Sequence, residues 1–247
     1  AGAAGFSDDG KPVANARLMQ EAMVRCQELN VPIASHCEDL DIIGNGKMNL
    51  GEISKELGVP GMDRTSEDSV TAREIALAAG TGSSVHICHV STKGSVDILR
   101  DAKARGVKVT AETGPHYFML TDELLRRQDA DYRMNPPLRT EEDRIAVLEA
   151  LRDGVIDVIA TDHAPHTPAQ KQDFIQAPNG VVGLETSFGA CMTSLVHTGI
   201  FSLYALIERM STIPAKLMHL PAGSLKPGCA ADLMMFDPDE EWIVDPS

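Results

Sequence analysis

Imidazole and carboxylate side chains fall in a few tight groups along this sequence. Asp8 and Asp9 precede a glycine, and His36, Glu38 and Asp39 share the stretch HCED. His89 lies in HICHVST, Glu112 and His116 in AETGPH, and Asp162, His163 and His166 in ATDHAPH. Imidazole nitrogen and carboxylate oxygen are the ligands that borderline ions such as Zn²⁺ take. A carboxylate can also bridge two ions, and such a pair activates water near neutral pH. Each group has a plainer use as well. A lone strand histidine is commonly hydrogen-bonded in the core or at the surface, Asp-Asp-Gly commonly makes a turn, and Asp before His-Ala-Pro can cap a loop. Co-location favours a metal, because separate segments deliver such residues at the same end. Spacing alone leaves both readings open.

Five segments could position these groups: residues 5–10, 31–39, 84–92, 107–116 and 156–166. Each is an apolar or β-branched run ending in a polar cluster, the form of a parallel strand buried on both faces. Helical patterns separate them, over 15–29, 66–79, 94–105 and 140–152. Ser66 and Thr140 stand as N-caps, with acids in the turn that follows. Gly106 and Gly154 stand at helix ends. Strand–helix alternation predicts a parallel sheet with its site at the strand C-termini. Residues 40–64, with a short helix over 50–57, and residues 165–183 break the rhythm and are candidate site loops. After Leu184 the pattern is helical to about Leu217, and β-type runs follow at 233–236 and 242–244.

Other residues take plainer readings. His86 stands an odd number of positions from His89, so strand alternation points it to the opposite face. His116 is ambiguous, closer to a supporting residue than to a ligand. His197 and His219 read as surface or packing residues. In YRMNPPLR, Pro136 holds Asn135 extended, where its amide could meet a ring or carboxamide. Arg133 and Arg139 could meet a carboxylate, and the backbone N–H groups of Asn179 and Gly180 could face a ligand.

The 247 residues carry a formal charge of −14, with 43% hydrophobic and 4% aromatic residues. That apolar fraction excludes a disordered chain, and the charge argues against nucleic acid or an anionic membrane as partner. No apolar run reaches the roughly 18–20 residues of a membrane span. Five scattered cysteines without a CxxC make no disulfide framework and fit a reducing, cytoplasmic setting. The opening AGAAGFSDDG lacks an initiator Met and the features of a signal peptide, and it reads like the middle of a domain.

FSDDGKPV, HCED, HVSTK, RMNPPLR and ATDHAPH, in this order, resemble the type I dihydroorotases of the amidohydrolase superfamily. The tail GSLKPGCAADLMMFD is similar to that superfamily's return from barrel to β-sandwich. The resemblance implies an α/β fold, a distorted (β/α)₈ TIM-type barrel. It implies reversible interconversion of L-dihydroorotate and N-carbamoyl-L-aspartate in pyrimidine synthesis, with two Zn²⁺ in a complete site. Asp9, the second Asp of DDG, resembles the metal-bridging carboxylate, where many relatives use a carboxylated Lys. His36 and His89 resemble ligands of the second metal. Asp162 resembles a ligand of the first metal and the general acid/base. Asn135, His166 and the Asn179–Gly180 backbone resemble substrate contacts. A homodimer and an aspartate transcarbamoylase partner are further possibilities of the family.

The sequence departs from that pattern in one respect. It contains no His-x-His, the family's first-strand anchor, and its five strand segments match strands four to eight. The expected organisation is therefore an incomplete barrel over residues 1–220 and the start of a β-sandwich over 221–247, as in a fragment of a longer enzyme. The rivals are an allantoinase or hydantoinase, which Asp9 and MNPPLR disfavour, and a non-catalytic partner of aspartate transcarbamoylase. The chain alone is expected to bind at most one zinc tightly and to turn over little substrate. Zinc analysis with an activity assay checks this, and two tight zincs per chain with rapid turnover would contradict it.

Overall fold

A computed structural model of the chain describes residues 2–245. Ala1 and the last two residues of the 221–247 segment lie outside the described residues. In chain order the first elements are β1 (Phe6–Ser7), α1 (Ala16–Leu29), β2 (Ile33–Ser35), α2 (Leu40–Ile43), β3 (Met48–Asn49), α3 (Glu52–Leu57) and β4 (Gly61–Met62). There follow α4 (Thr65–Thr81), β5 (Val85–Ile87), α5 (Lys93–Ala104), β6 (Val109–Thr113), α6 (Pro115–Met119), α7 (Glu141–Asp153) and β7 (Val158–Ile159). Three short helices close the list, α8 (Ser187–Cys191), α9 (Leu203–Ile207) and α10 (Ile213–Leu217).

The five expected strand segments form one parallel sheet in the order β1-β2-β5-β6-β7. Register aligns Ser7 with Ala34 and Ala34 with His86. All five chain ends therefore leave the sheet on the same side, as parallel pairing with helical crossovers requires.

The helices begin where side chains can satisfy their first N–H groups. Asn15 caps α1 by accepting from the Leu18 N–H at 3.1 Å. Thr92 caps α5 by accepting from Ser95 at 3.1 Å, and Thr140 caps α7. Gly154, at φ +80°, ends α7 in the left-handed region that glycine tolerates. Ser66 is not the expected cap. α4 starts one residue earlier, and the Ser66 hydroxyl instead ties α4 to Asp39, accepting from its N–H at 2.7 Å and donating to its carbonyl at 3.0 Å.

Met19, Met23, Leu99, Leu151, Leu195 and Leu206 are among the side chains wholly buried between the helices and the sheet. Each contributes on the order of 1.5–3 kcal/mol of apolar burial. The two irregular stretches make a second, smaller core of Met48, Ile53, Leu125 and Phe174. The short parallel pair β3–β4 within the first stretch carries no strand signal in its sequence, being only two residues per strand.

The β-type runs at 233–236 and 242–244 form no strand among the described residues. A strand needs a hydrogen-bonded neighbour, and Met235 and Ile243 are almost fully exposed. Phe236 packs edge-on against Phe188 with ring centroids 4.8 Å apart. None of the described helices is long and apolar enough to cross a membrane.

Cys26, Cys37, Cys88 and Cys191 are buried, whereas Cys229 is exposed. Burial pushes the four buried thiols up, that of Cys191 to about 12, and the thiolate is the reactive form. A thiol reagent should modify one cysteine of the native chain rapidly and the other four only on unfolding. Rapid labelling of two or more would contradict this packing.

Candidate metal centre

The turns beyond β1, β2 and β5 bring three side chains together. One ligand atom each from Asp9, His36 and His89 lies within 4.8 Å of the others. His36 Nδ1 and His89 Nε2 are 2.7 Å apart. Asp9 Oδ1 lies 3.4 Å from the former and 3.5 Å from the latter. Both histidines are buried, while Asp9 is more than half exposed.

Backbone contacts explain the convergence. Asp8 accepts from the His36 N–H at 2.7 Å and from the Val13 N–H at 2.8 Å. The first Asp of DDG thus clamps the β1 turn to the β2 end, and the second projects toward the histidines. His89 lies beyond the end of β5 with φ +33°, outside the ordinary range for a side-chain-bearing residue. That turn overrides strand parity, so His86 does not point to the opposite face as expected. His86 and His89 line one cavity of about 370 Å³, with Asp9, Cys88, Glu112 and Asp162 on its walls. His86 itself is held by Thr110 at 2.8 Å and Glu112 at 3.1 Å.

The three donors fit a divalent ion. Two imidazole nitrogens and one carboxylate oxygen form a borderline donor set, and the two ring nitrogens face each other at hydrogen-bond distance. Hydrogen bonds from His36 and His89 hold the Asp9 carboxyl well below the usual carboxylate range. Burial acts to lower the pKa of His36, but its bonds to Asp9 and Glu38 outweigh that and raise it to about 9.

Asp162 shares the cavity but stands apart from the three-residue group. Its backbone is also left-handed, at φ +49°. Burial raises its carboxyl, against the lowering influence of His89. His116 Nε2 lies 3.8 Å from Asp162 Oδ2, is buried and has no hydrogen-bond partner. Burial, aided by His89, depresses His116 to about 3, so the ring is neutral near pH 7. His163 is structural, its Nδ1 accepting from the Gly183 and Leu184 N–H groups.

Asn135 stands against His36, with Nδ2 3.5 Å from Nε2 and Oδ1 buried without a partner. The other expected substrate contacts are engaged within the protein. His166 Nε2 meets the Asn179 carbonyl at 2.9 Å, which leaves Nδ1 for a ligand. The Gly180 N–H is not free as expected, because it donates to the Arg133 carbonyl at 2.9 Å. A Cβ at Gly180 would lie 2.3 Å from the Ala164 carbonyl oxygen, so glycine permits the close approach. Asn179 Oδ1 accepts from Arg133 Nη2 at 3.0 Å.

Neither arginine reaches out to a ligand carboxylate as expected. Arg133 donates to the Phe174 and Ile175 carbonyls at 2.7 and 2.9 Å. Arg139 pairs with Glu67 at 3.3 Å and donates to Ser91 and Asn49, each at 3.1 Å. Glu67 in turn accepts from the Ser91 and Thr92 N–H groups and from the Ser91 hydroxyl. This buried network holds the turn that follows His89. Lys171 similarly clips the 165–183 loop, donating to the Ala130, Arg133 and Gly180 carbonyls. Nothing local marks Glu67 or Lys171 for these roles, since one reads as a first-turn acid and the other as a loop charge.

The amidohydrolase family model matches residues 1–246, and the chain belongs to that family. It is 49% identical, over 248 aligned positions, to the dihydroorotase of Syntrophus aciditrophicus and 50% identical over 245 to that of Geobacter metallireducens. These alignments cover 100% and 99% of this chain and 58% of each relative. The chain thus spans a little over half the length of the curated relatives it matches. Among solved structures it is similar to the dihydropyrimidinase of Brevibacillus agri (TM-score 0.79, 26% identity, 92% of this chain and 52% of that one). The L-hydantoinase of Arthrobacter aurescens is equally similar (TM-score 0.79, 26% identity, 92% and 53%). With the parallel sheet, these matches define a TIM-barrel-type α/β fold.

Removing one partner of a buried ion pair strands the other charge, at about 3–5 kcal/mol. Glu67→Ala should destabilise the chain by that amount in denaturant unfolding. A change near zero would show that the network does not hold the His89 turn.

Proposed function

We propose that this chain supplies the metal-binding and proton-transfer side of a dihydroorotase. The substrates on this reading are L-dihydroorotate and N-carbamoyl-L-aspartate, in a step of pyrimidine synthesis in the cytoplasm. The observation that carries the proposal is the meeting of Asp9, His36 Nδ1 and His89 Nε2. Near-50% identity to proteins named dihydroorotase, along essentially the whole chain, supports the substrate assignment over hydantoin or allantoin. Five parallel strands with β1 and β7 at the edges are consistent with the later part of an eight-stranded barrel over residues 1–220. Residues 221–247 would then lead into a β-sandwich.

On this reading Asp9, His36 and His89 hold one zinc, and Asp162 contributes to a second. A zinc held there would supply Lewis acidity to the scissile amide carbonyl. Asp162 takes a proton from the attacking water and passes it to the leaving ring nitrogen. Its partly buried, upward-shifted carboxyl suits that exchange. Asn135 Oδ1, buried and unpartnered, accepts from an N–H of the ring, and His166 Nδ1 and the Asn179–Gly180 segment border the substrate. The family's homodimer and its transcarbamoylase partner belong to the same proposal. Preserved ligand geometry favours the enzyme over a non-catalytic partner.

In the enzyme that contains this chain, Asp162→Asn should lower turnover of dihydroorotate by at least about 10²–10⁴-fold, the usual contribution of a positioned acid/base. Assays with dihydroorotate, hydantoin and allantoin check both the residue and the substrate. Near-normal turnover in the variant would remove the role of Asp162, and preference for hydantoin would remove the substrate.

A further inference from the structure

Glu38 stands across the His36 ring from the ligand cluster. Its Oε2 is 3.2 Å from His36 Nε2, and its side chain is only 10% exposed. The other ring nitrogen, Nδ1, faces Asp9 and His89. The two nitrogen lone-pair directions of an imidazole diverge, so a group on Nε2 cannot share an ion with one on Nδ1. Glu38 is therefore not a fourth ligand of the cluster. A carboxylate there accepts the Nε2–H, and in the neutral ring that places the lone pair on Nδ1, where a metal would bind.

The rest of HCED holds Glu38 in place. Asp39 caps α2, accepting from the Asp41 and Ile42 N–H groups at 3.0 and 3.1 Å. Both backbone polar groups of Asp39 are bonded to Ser66 of α4. Cys37 is buried in the main core. The segment is thus anchored on both sides of Glu38. Asn135 stands beside the same ring nitrogen, its Nδ2 3.5 Å from His36 Nε2. Burying a carboxylate costs several kcal/mol unless it is paired and hydrogen-bonded, and the partner here is a ligand-type histidine.

We propose that Glu38 is a positioning residue that fixes His36 in the tautomer and orientation presenting Nδ1 to the metal. The inference rests on the metal-centre reading above and adds a role for a residue outside the ligand set. It separates the acids of HCED by geometry, Glu38 serving the ligand and Asp39 the helix.

The test is Zn²⁺ affinity of the full chain, measured by competition with a chromophoric chelator, in the parent, Glu38→Ala and Glu38→Gln. Unfolding midpoints of the metal-free proteins are recorded alongside. Loss of an outer partner of a ligating histidine weakens metal binding by about 10–100-fold, and that loss is expected for Glu38→Ala in the folded protein, over and above any drop in the metal-free midpoint. Glu38→Gln keeps an acceptor oxygen without the charge and should fall between, so it carries the test if the alanine variant does not fold. Equal affinity in parent and folded variants would overturn the proposal while leaving the metal centre standing. A lowered midpoint with unchanged affinity would overturn it in favour of a purely structural role. No zinc binding by the parent would remove the metal-centre reading and this proposal with it.

Discussion

Parallel register is the constraint on which the site depends. Ser7, Ala34 and His86 are level in the sheet, so two residues further on the chain stands at Asp9, His36 and Cys88. Three adjacent strands thus bring the residues two positions on to one place. His89 is one position beyond level, and its left-handed backbone turns it back into the group. The Asp8 clamp on the His36 N–H and the Glu67–Arg139 network behind Ser91 secure the first and last of these turns. A one-residue slip would invert the facing of every side chain in a strand, which is why buried contacts lock each end.

Charge reinforces the geometry. In a chain of net charge −14, two buried imidazoles and a carboxylate compete for one another at close range. A divalent cation would replace the hydrogen bond between ring nitrogens with bonds to both. Nearby, burial keeps His116 neutral and raises the partly buried Asp162 carboxyl. The cavity thus sets Asp162 on its wall apart from the three-residue ligand group.

The strands were legible because each apolar run ends in a polar cluster at the same side, and Thr140 announced its helix. Asp9, His36 and His89 followed from residue type, spacing and resemblance. His86 is structural, held by Thr110 and Glu112, but it shares the ligand cavity because alternation holds only within a strand and β5 ends at Ile87. Arg133, Arg139 and Gly180 looked like ligand contacts because sequence does not reveal that a loop's donors are satisfied by a carbonyl or acid far along the chain. Glu67 was hidden for the same reason, its partners Ser91 and Arg139 lying on other elements. The two-residue strands β3 and β4 are too short for any periodicity to mark them.

Crystals of the chain soaked in Zn²⁺ and measured at the zinc absorption edge test the central claim most directly. The account requires an anomalous peak about 2.0–2.1 Å from both His36 Nδ1 and His89 Nε2, with an Asp9 oxygen at about 2.0–2.2 Å. A peak elsewhere, coordination through His36 Nε2, or no peak in zinc-saturated crystals would contradict it.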